Sequence, residues 1–380
     1  MKPTAKAALV AVGILGGLFA LHVQLNLGGW PSFLRRLQGG SEQRGELTVG
    51  FLPVTCHLTC PVTNWVTTHT DSGSVFKSKK YTNFEAVAED FKSKQLHASF
   101  ILAPLAMTLR RQGTPIKIVH LGHRDGTTII VHKDSPYRTF KDLKGKKIAV
   151  PHMYSNQRIL LARQLEKEGM KEDDLTLVPV PPPEHPSMLQ KGAVDAYIIG
   201  EPHAAKSEIA GFGRVLYFTK DIWPNFISCV LAVSEDLIRE NRPLVEELVA
   251  GISASGRWID ASGEELVAGL HKEGDGTKAD DNNIVLPSNW TTDHRSQAAA
   301  IGAHAKYYAQ PPELLRFVLT KPLDRVKYTN LVPARPDFEE IQRYAEKLGY
   351  FKPSTPEDPF GFEDYCDASF AMAAHGSDKK

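Results

Sequence analysis

Between residues 46 and 233 the chain alternates short apolar runs with helical stretches, and this alternation narrows the fold more than any other feature. Runs at 47–52, 98–103, 116–121, 127–132, 146–150, 175–180, 193–199 and 226–233 are rich in Val, Ile, Leu, Phe and Ala. Gly, Pro or polar residues bound them, as expected of buried strands. Phe84, Val87, Ala88 and Phe91 fall at i, i+3, i+4 and i+7, a helix with one buried face. Ile159, Leu161 and Leu165 offer a core face to another helix, and shorter ones are expected up to Arg111, at 184–191 and after Gly200-Glu201-Pro202. Strands separated by helices at this spacing predict a parallel-type sheet covered by helices, an α/β protein. Beyond 233 the pattern turns helical. Leu244, Val245, Leu248, Val249 and Ile252 make one stripe, and Phe338, Ile341, Ala345 and Leu348 another. Residues 274–283 read as a polar loop, and 353–380 as a loosely packed tail.

The chain has 380 residues, 42% of them hydrophobic, enough for two lobes with their own cores. Its 45 Lys and Arg nearly balance 44 Asp and Glu, so no basic footprint points to nucleic acid. The most apolar segment is 7–27, which follows Lys2 and Lys6. It reads as a secretory h-region or an uncleaved membrane anchor. The lack of an obvious A-x-A site favours the anchor, and no cysteine follows closely enough for a lipoprotein signal. Either way the body of the chain lies outside the cytoplasm, and residues 28–45 form a linker. Four cysteines, Cys56, Cys60, Cys229 and Cys366, are then free to pair, and the sequence does not choose a connectivity.

The run ELTVGFLPVTCHLTC at 46–60 joins a strand to a helix start. Pro53 stops the strand, the polar residues Thr55, Cys56, His57, Thr59 and Cys60 follow, and Pro61 opens the helix. Free N–H groups at such a helix start favour an anion. A βα connection that binds nothing gives the same pattern.

The order of motifs resembles the periplasmic substrate-binding proteins of ABC importers for nitrate, bicarbonate and sulfonate-type ligands such as taurine. The matching stretches are GFLP (50–53), LAPLAM (102–107), FKDLKGKKIAVP (140–151), YSNQRILLARQLEKEGM (154–170), VPVPPPE (178–184), VDAYIIGEPHAA (194–205) and SCVLAVSEDLIRENRPLVEELV (228–249). The resemblance implies a two-lobed, type II-like periplasmic-binding-protein fold, each lobe a mixed sheet flanked by helices. Residues 1–45 would be anchor or signal and linker. Residues 46–122 and 226–352 would form one lobe and 123–225 the other, with hinges at 122–126 and 223–225. It also implies an extracytoplasmic, non-catalytic receptor that hands a small polar or anionic solute to a permease and its ATPase.

Loops after strands supply the contacts in such a cleft. The expected ligand residues are Thr55, Cys56, His57, Thr59, Ala103, Pro104, Tyr154, Ser155, Gln157, Glu201 and Trp223. Glu201 is carried over from the family's Glu-Pro pair. It follows an apolar strand, so burial raises its pKa unless a cation, metal or donors meet it. Ser155 and Asn156 can cap the following helix or reach a ligand. His203 reads as a solvated helix residue. The nitrate-binding branch has a His in the YS-x-x loop and a Lys before the strand at 228–233. Asn156-Gln157 and Ile227-Ser228-Cys229 stand there instead, which argues against nitrate. No cofactor is expected. Cys56, His57 and Cys60, with Cys229 by analogy, form a soft-metal set of weak spacing. Two further readings stay open: an enzyme on the same scaffold, like those of pyrimidine-precursor or menaquinone pathways, and a membrane-tethered ligand sensor.

Overall fold

The computed structural model describes residues 47–70 and 75–376; the apolar segment at 7–27 lies outside them. Contacts divide the chain after Leu47, and Thr48–Lys380 is one unit. Its strands are β1 (Thr48–Phe51), β2 (Lys77–Lys80), β3 (Ala98–Ile101), β4 (Ile116–Asp125), β5 (Thr127–His132), β6 (Lys146–Val150) and β7 (Leu175–Pro179). They continue with β8 (Ala196–Gly200), β9 (Gly213–Phe218), β10 (Ile227–Ser234), β11 (Leu270–Lys272), β12 (Ile284–Leu286) and β13 (Val326–Lys327).

Two larger sheets result. The first runs β13-β4-β10-β3-β1-β2 and the second β7-β6-β8-β5-β9. Both are mixed. β1 is parallel to β2 and β3, whereas β10 runs antiparallel to β3 and β4. β6 is parallel to β7 and β8, and β5 antiparallel to β8 and β9. The chain passes from the first sheet to the second at Gly126 and returns between Phe218 and Ile227.

Period-two alternation builds the second sheet's core. Ile129, Val131, Ile148, Val150, Ala196 and Ile198 share one buried cluster with Leu160, Leu161 and Leu165 of the Asn156–Lys167 helix. Ile130, Ala149, Tyr197 and Ile199 join the other, with Leu189 and Ala204. A strand covered on both faces reads as a continuous apolar run. Each fully buried Ile or Leu contributes about 1.5–3 kcal/mol over exposure. Phe84, Val87, Ala88 and Phe91 form the buried face of the Phe84–Lys92 helix, capped by Asn83 through the Ala86 amide.

Several expectations need correction. The segment 122–126 is no flexible connection: β4 continues to Asp125, and Gly122, His123, Arg124 and Asp125 are buried. Pairing to β10 and β13 supplies the partners that make an extended, buried run favourable there. Gly122 serves close packing, because a Cβ on it would lie 2.2 Å from the Cys56 carbonyl oxygen. Gly126 has φ of +66°, the left-handed region that favours glycine, at the crossing between sheets. The pattern after Pro202 predicts helix alone, yet β9 follows the helix and pairs with β5. The tail is exposed only as far as Pro359. Phe360, Tyr365 and Phe370 then bury themselves, and Ile118 bridges to Cys366, so aromatic anchors override the Pro-rich composition. No helix among the described residues is long and apolar enough to cross a membrane.

Candidate functional site

After β1 the chain enters a 3-10 turn, Thr55–His57, and then the Thr59–Thr68 helix, so Pro61 falls inside the first helical turn rather than opening it. Three anchors hold the turn. The Leu52 amide donates to His57 Nδ1 at 2.7 Å, and the Tyr328 and Tyr308 hydroxyls donate to the Thr55 and Val54 carbonyls, each at 2.7 Å. An amide N–H can only donate, so Nδ1 presents its lone pair. In the neutral ring the His57 proton therefore sits on Nε2. The His57 ring stacks on Phe100 at 5.2 Å.

The turn meets both sheets. Thr55 Oγ1 lies 2.9 Å from His123 Nε2 on β4, and Cys56 Sγ lies 2.9 Å from Cys229 Sγ on β10. Register shifts flank Cys229 in the β4–β10 ladder. Such bulges re-aim side chains and recur beside functional sites. From the second sheet, the Glu201 carbonyl accepts from the Thr55 amide at 2.6 Å. Asn156 reaches across in both senses: its Oδ1 accepts from the Ala103 amide at 3.2 Å and its Nδ2 donates to the Ile227 carbonyl at 2.8 Å.

Glu201 finds its cation, and the cation is one that sequence reasoning missed. Arg325 donates to Glu201 Oε1 through Nε at 2.8 Å and contacts it through Nη2 at 2.7 Å, while Glu208 lies at 3.1 Å. Thr128 Oγ1 and the Ala205 amide complete the Glu201 carboxylate at 3.0 Å each. Glu201 is fully buried and Arg325 nearly so. Glu201 thus joins a buried ion pair and holds the first turn of the His203–Ile209 helix. No local motif around Arg325 announces this. The signal was indirect: a Glu at the end of an apolar strand needs a counter-ion somewhere.

Thr55, Cys56, His57, Thr59, Ser155, Gln157 and Glu201 are all buried. Ser155 caps its helix through the Arg158 amide, and the Ala103 amide is taken by Asn156, with Pro104 in the same buried helical turn. Gln157 Nε2 donates to Thr127 Oγ1 at 3.3 Å. Tyr154 packs edge-on against Tyr350 at 5.1 Å. Trp223 lies under the Arg163 guanidinium at 4.7 Å and against Phe226. It shares with Asn156 the wall of a small cavity of about 30 Å³. His203 is buried, not solvated. Several polar atoms here have no hydrogen-bond partner among the described residues: His57 Nε2, Thr59 Oγ1, Gln157 Oε1 and both ring nitrogens of His203. Buried polar groups are normally satisfied, and exceptions of this kind suit a site that meets something else.

Charge is distributed unevenly. Burial works against ionisation of Cys56, but the hydrogen bond from the Cys229 thiol favours its thiolate and holds Cys56 well below the usual thiol range. Burial and the neighbouring Cys56 push Cys229 well up. The pair therefore releases one proton readily and holds the other. Burial lowers His123 to about 4.

Among the described residues, Cys56, His57 and Cys229 are the group whose ligand atoms lie within 4.8 Å of one another. Cys60, grouped with them from the sequence, is not part of it; it sits in the helix, where burial raises its thiol. The His57 tautomer does not fit a metal. A ligating histidine normally donates its second ring N–H to an acceptor, and here that nitrogen accepts from the Leu52 amide instead.

The frame is two mixed α/β sheets joined by two crossings. The model of the NMT1-like family matches residues 40–268, more than half of the chain, and the chain belongs to that family. A nitrate import ATP-binding protein of Synechocystis is 26% identical over 56% of this chain, and an Escherichia coli protein named for binding aliphatic sulfonates is 28% identical over 38%. The matches span only 35% and 44% of those relatives' own lengths. Among solved structures, the periplasmic nitrate-binding protein NrtA of Synechocystis superposes with a TM-score of 0.70 at 13% identity, over 88% of this chain and 89% of that one. The zinc-bound ligand-binding component of an ABC-type import system from Staphylococcus aureus gives 0.69 at 19% identity, over 86% and 98%. The desulfurization enzyme DszB gives 0.56 at 15% identity, over 88% and 99%. These likenesses establish the fold.

Proposed function

We propose that the protein is the extracytoplasmic solute-binding component of an ABC importer, taking a small polar or anionic solute and passing it to a permease and its ATPase. One observation carries this reading: His57 and Thr59 after β1, Gln157 at the start of the Asn156–Lys167 helix and His203 after the Glu201–Pro202 corner are buried with hydrogen-bonding atoms unmatched among the described residues. The first sheet with its helices acts as one lobe and the second sheet with its helices as the other, moving about the crossings at Gly126 and between Phe218 and Ile227. Residues 7–27 export the protein or hold it at the membrane. The Arg325 guanidinium is already matched to two carboxylates. An anionic solute is therefore held by neutral donors such as His57 Nε2–H. Native mass spectrometry of the gently purified protein, repeated after denaturation, tests the reading. A small organic or inorganic mass lost on denaturation supports it. A protein that binds nothing in that state and nothing from a panel of nitrate, bicarbonate and sulfonates refutes it.

The acidified Cys56 favours a second reading, an enzyme that uses this thiolate as nucleophile, on a fold that DszB shares. Cys56→Ser discriminates: loss of affinity alone fits a receptor, and loss of turnover on a bound solute fits an enzyme.

A further inference from the structure

We propose that Cys56 and Cys229 are a redox-modification site: the two thiols oxidise to a reversible disulfide in the wall of the polar junction. Their sulfurs lie 2.9 Å apart in the free-thiol state, with nothing between them.

The scaffold forces this approach. The turn bearing Cys56 is fixed by the Leu52 amide and the Tyr308 and Tyr328 hydroxyls. Bulges on either side of Cys229 break the regular β4–β10 register where its side chain meets the turn. Gly122 lies beneath both: a Cβ there would stand 2.2 Å from the Cys56 carbonyl and 3.2 Å from the Cys229 carbonyl. Any side chain at 122 would drive the two segments apart.

The chemistry follows from which thiol ionises. Cys56 is the thiolate partner and His57 Nε2–H faces the interior as a donor. A hydroperoxide is the oxidant. The Cys56 thiolate attacks the distal peroxide oxygen, the O–O bond breaks, and Cys56 becomes a sulfenic acid while hydroxide or alkoxide leaves. The Cys229 sulfur then attacks the Cys56 sulfur. An S–S bond forms, and the sulfenic hydroxyl departs with the Cys229 proton as water. Two electrons have passed to the peroxide, and a dithiol reverses the change. Cys60 and Cys366 are not paired with another sulfur among the described residues, so neither forms a disulfide. Oxidation removes an anionic sulfur and a thiol donor from the junction. Solute affinity therefore differs between the two states, a consequence that rests on the receptor reading.

The test uses the full chain, reduced, desalted and exposed to hydrogen peroxide, then denatured and alkylated. The expected result is loss of two of the four thiols, a peptide pair joining Cys56 to Cys229, and recovery with dithiothreitol. Cys60→Ser and Cys366→Ser change nothing, and Cys229→Ser stops at a sulfenic acid that dimedone traps on Cys56. Four alkylatable thiols after peroxide, a linkage through Cys60, or a metal released on denaturation that had shielded both sulfurs would each overturn the proposal. Solute binding by both redox forms is measured separately. Failure to bind in either form removes the receptor reading and leaves the thiol result intact.

Discussion

Arg325 is a guanidinium with almost no contact with water, and its position makes sense only beside Glu201. Removing one member of a buried ion pair leaves the other desolvated and unmatched, at about 3–5 kcal/mol. Arg325→Met is expected to lower the urea-unfolding free energy by about that amount, and Arg325→Met with Glu201→Gln to recover most of it. A single substitution costing less than ~1 kcal/mol would show that Glu201 keeps enough partners in Thr128 and the Ala205 amide. At this scale the sequence was half legible. Thr55, Cys56, His57 and Glu201 could be picked out as polar residues next to apolar strands. Arg325 lies 124 positions from Glu201, and His123 lies 68 from Thr55. No local pattern encodes a contact over such a distance.

At the scale of elements, the turn after β1 depends on the strand beneath it. Gly122→Ala places a methyl group 2.2 Å from the Cys56 carbonyl, closer than packing allows, and the obstacle is backbone rather than a flexible side chain. The turn has to lift, at about 1–3 kcal/mol. The expected outcome is a thermally weaker protein in which Cys56 alkylates faster than in the parent while Cys60 does not. Equal rates for both cysteines would point to general loosening. The strands and helices themselves were well announced, because a doubly covered strand writes an unbroken apolar run and a surface helix writes a stripe. Errors fell where neighbours decide. The sequence His123-Arg124-Asp125 looks like a loop, yet β10 and β13 make it strand. The tail looks loose, yet Phe360, Tyr365 and Phe370 find cover.

For the whole molecule, buried neutral histidines set an acid limit. Burial takes His120, His123 and His185 from an ordinary 6.5 to about 4. Between those values the unfolded chain binds more protons than the folded one, so stability is full above about 6.5 and falls as the pH drops toward 4. Each ring accounts for about 2 kcal/mol between pH 7 and pH 5. Urea midpoints are expected to fall steeply over that range, and a His120→Gln variant to flatten the slope by about a quarter, because burial lowers His203 as well. A midpoint unchanged from pH 7 to 5 would contradict neutral burial of these rings.

The burial that lowers these pKa values also bears on timing. Thr55, Cys56, His57, Gln157, Glu201 and His203 are all shut away from bulk solvent together. A molecule arriving from outside cannot collide with them directly; the wall has to part first. On the receptor reading, the capture rate of a solute then climbs with concentration only until it matches the opening rate, and beyond that point a richer supply makes loading no faster.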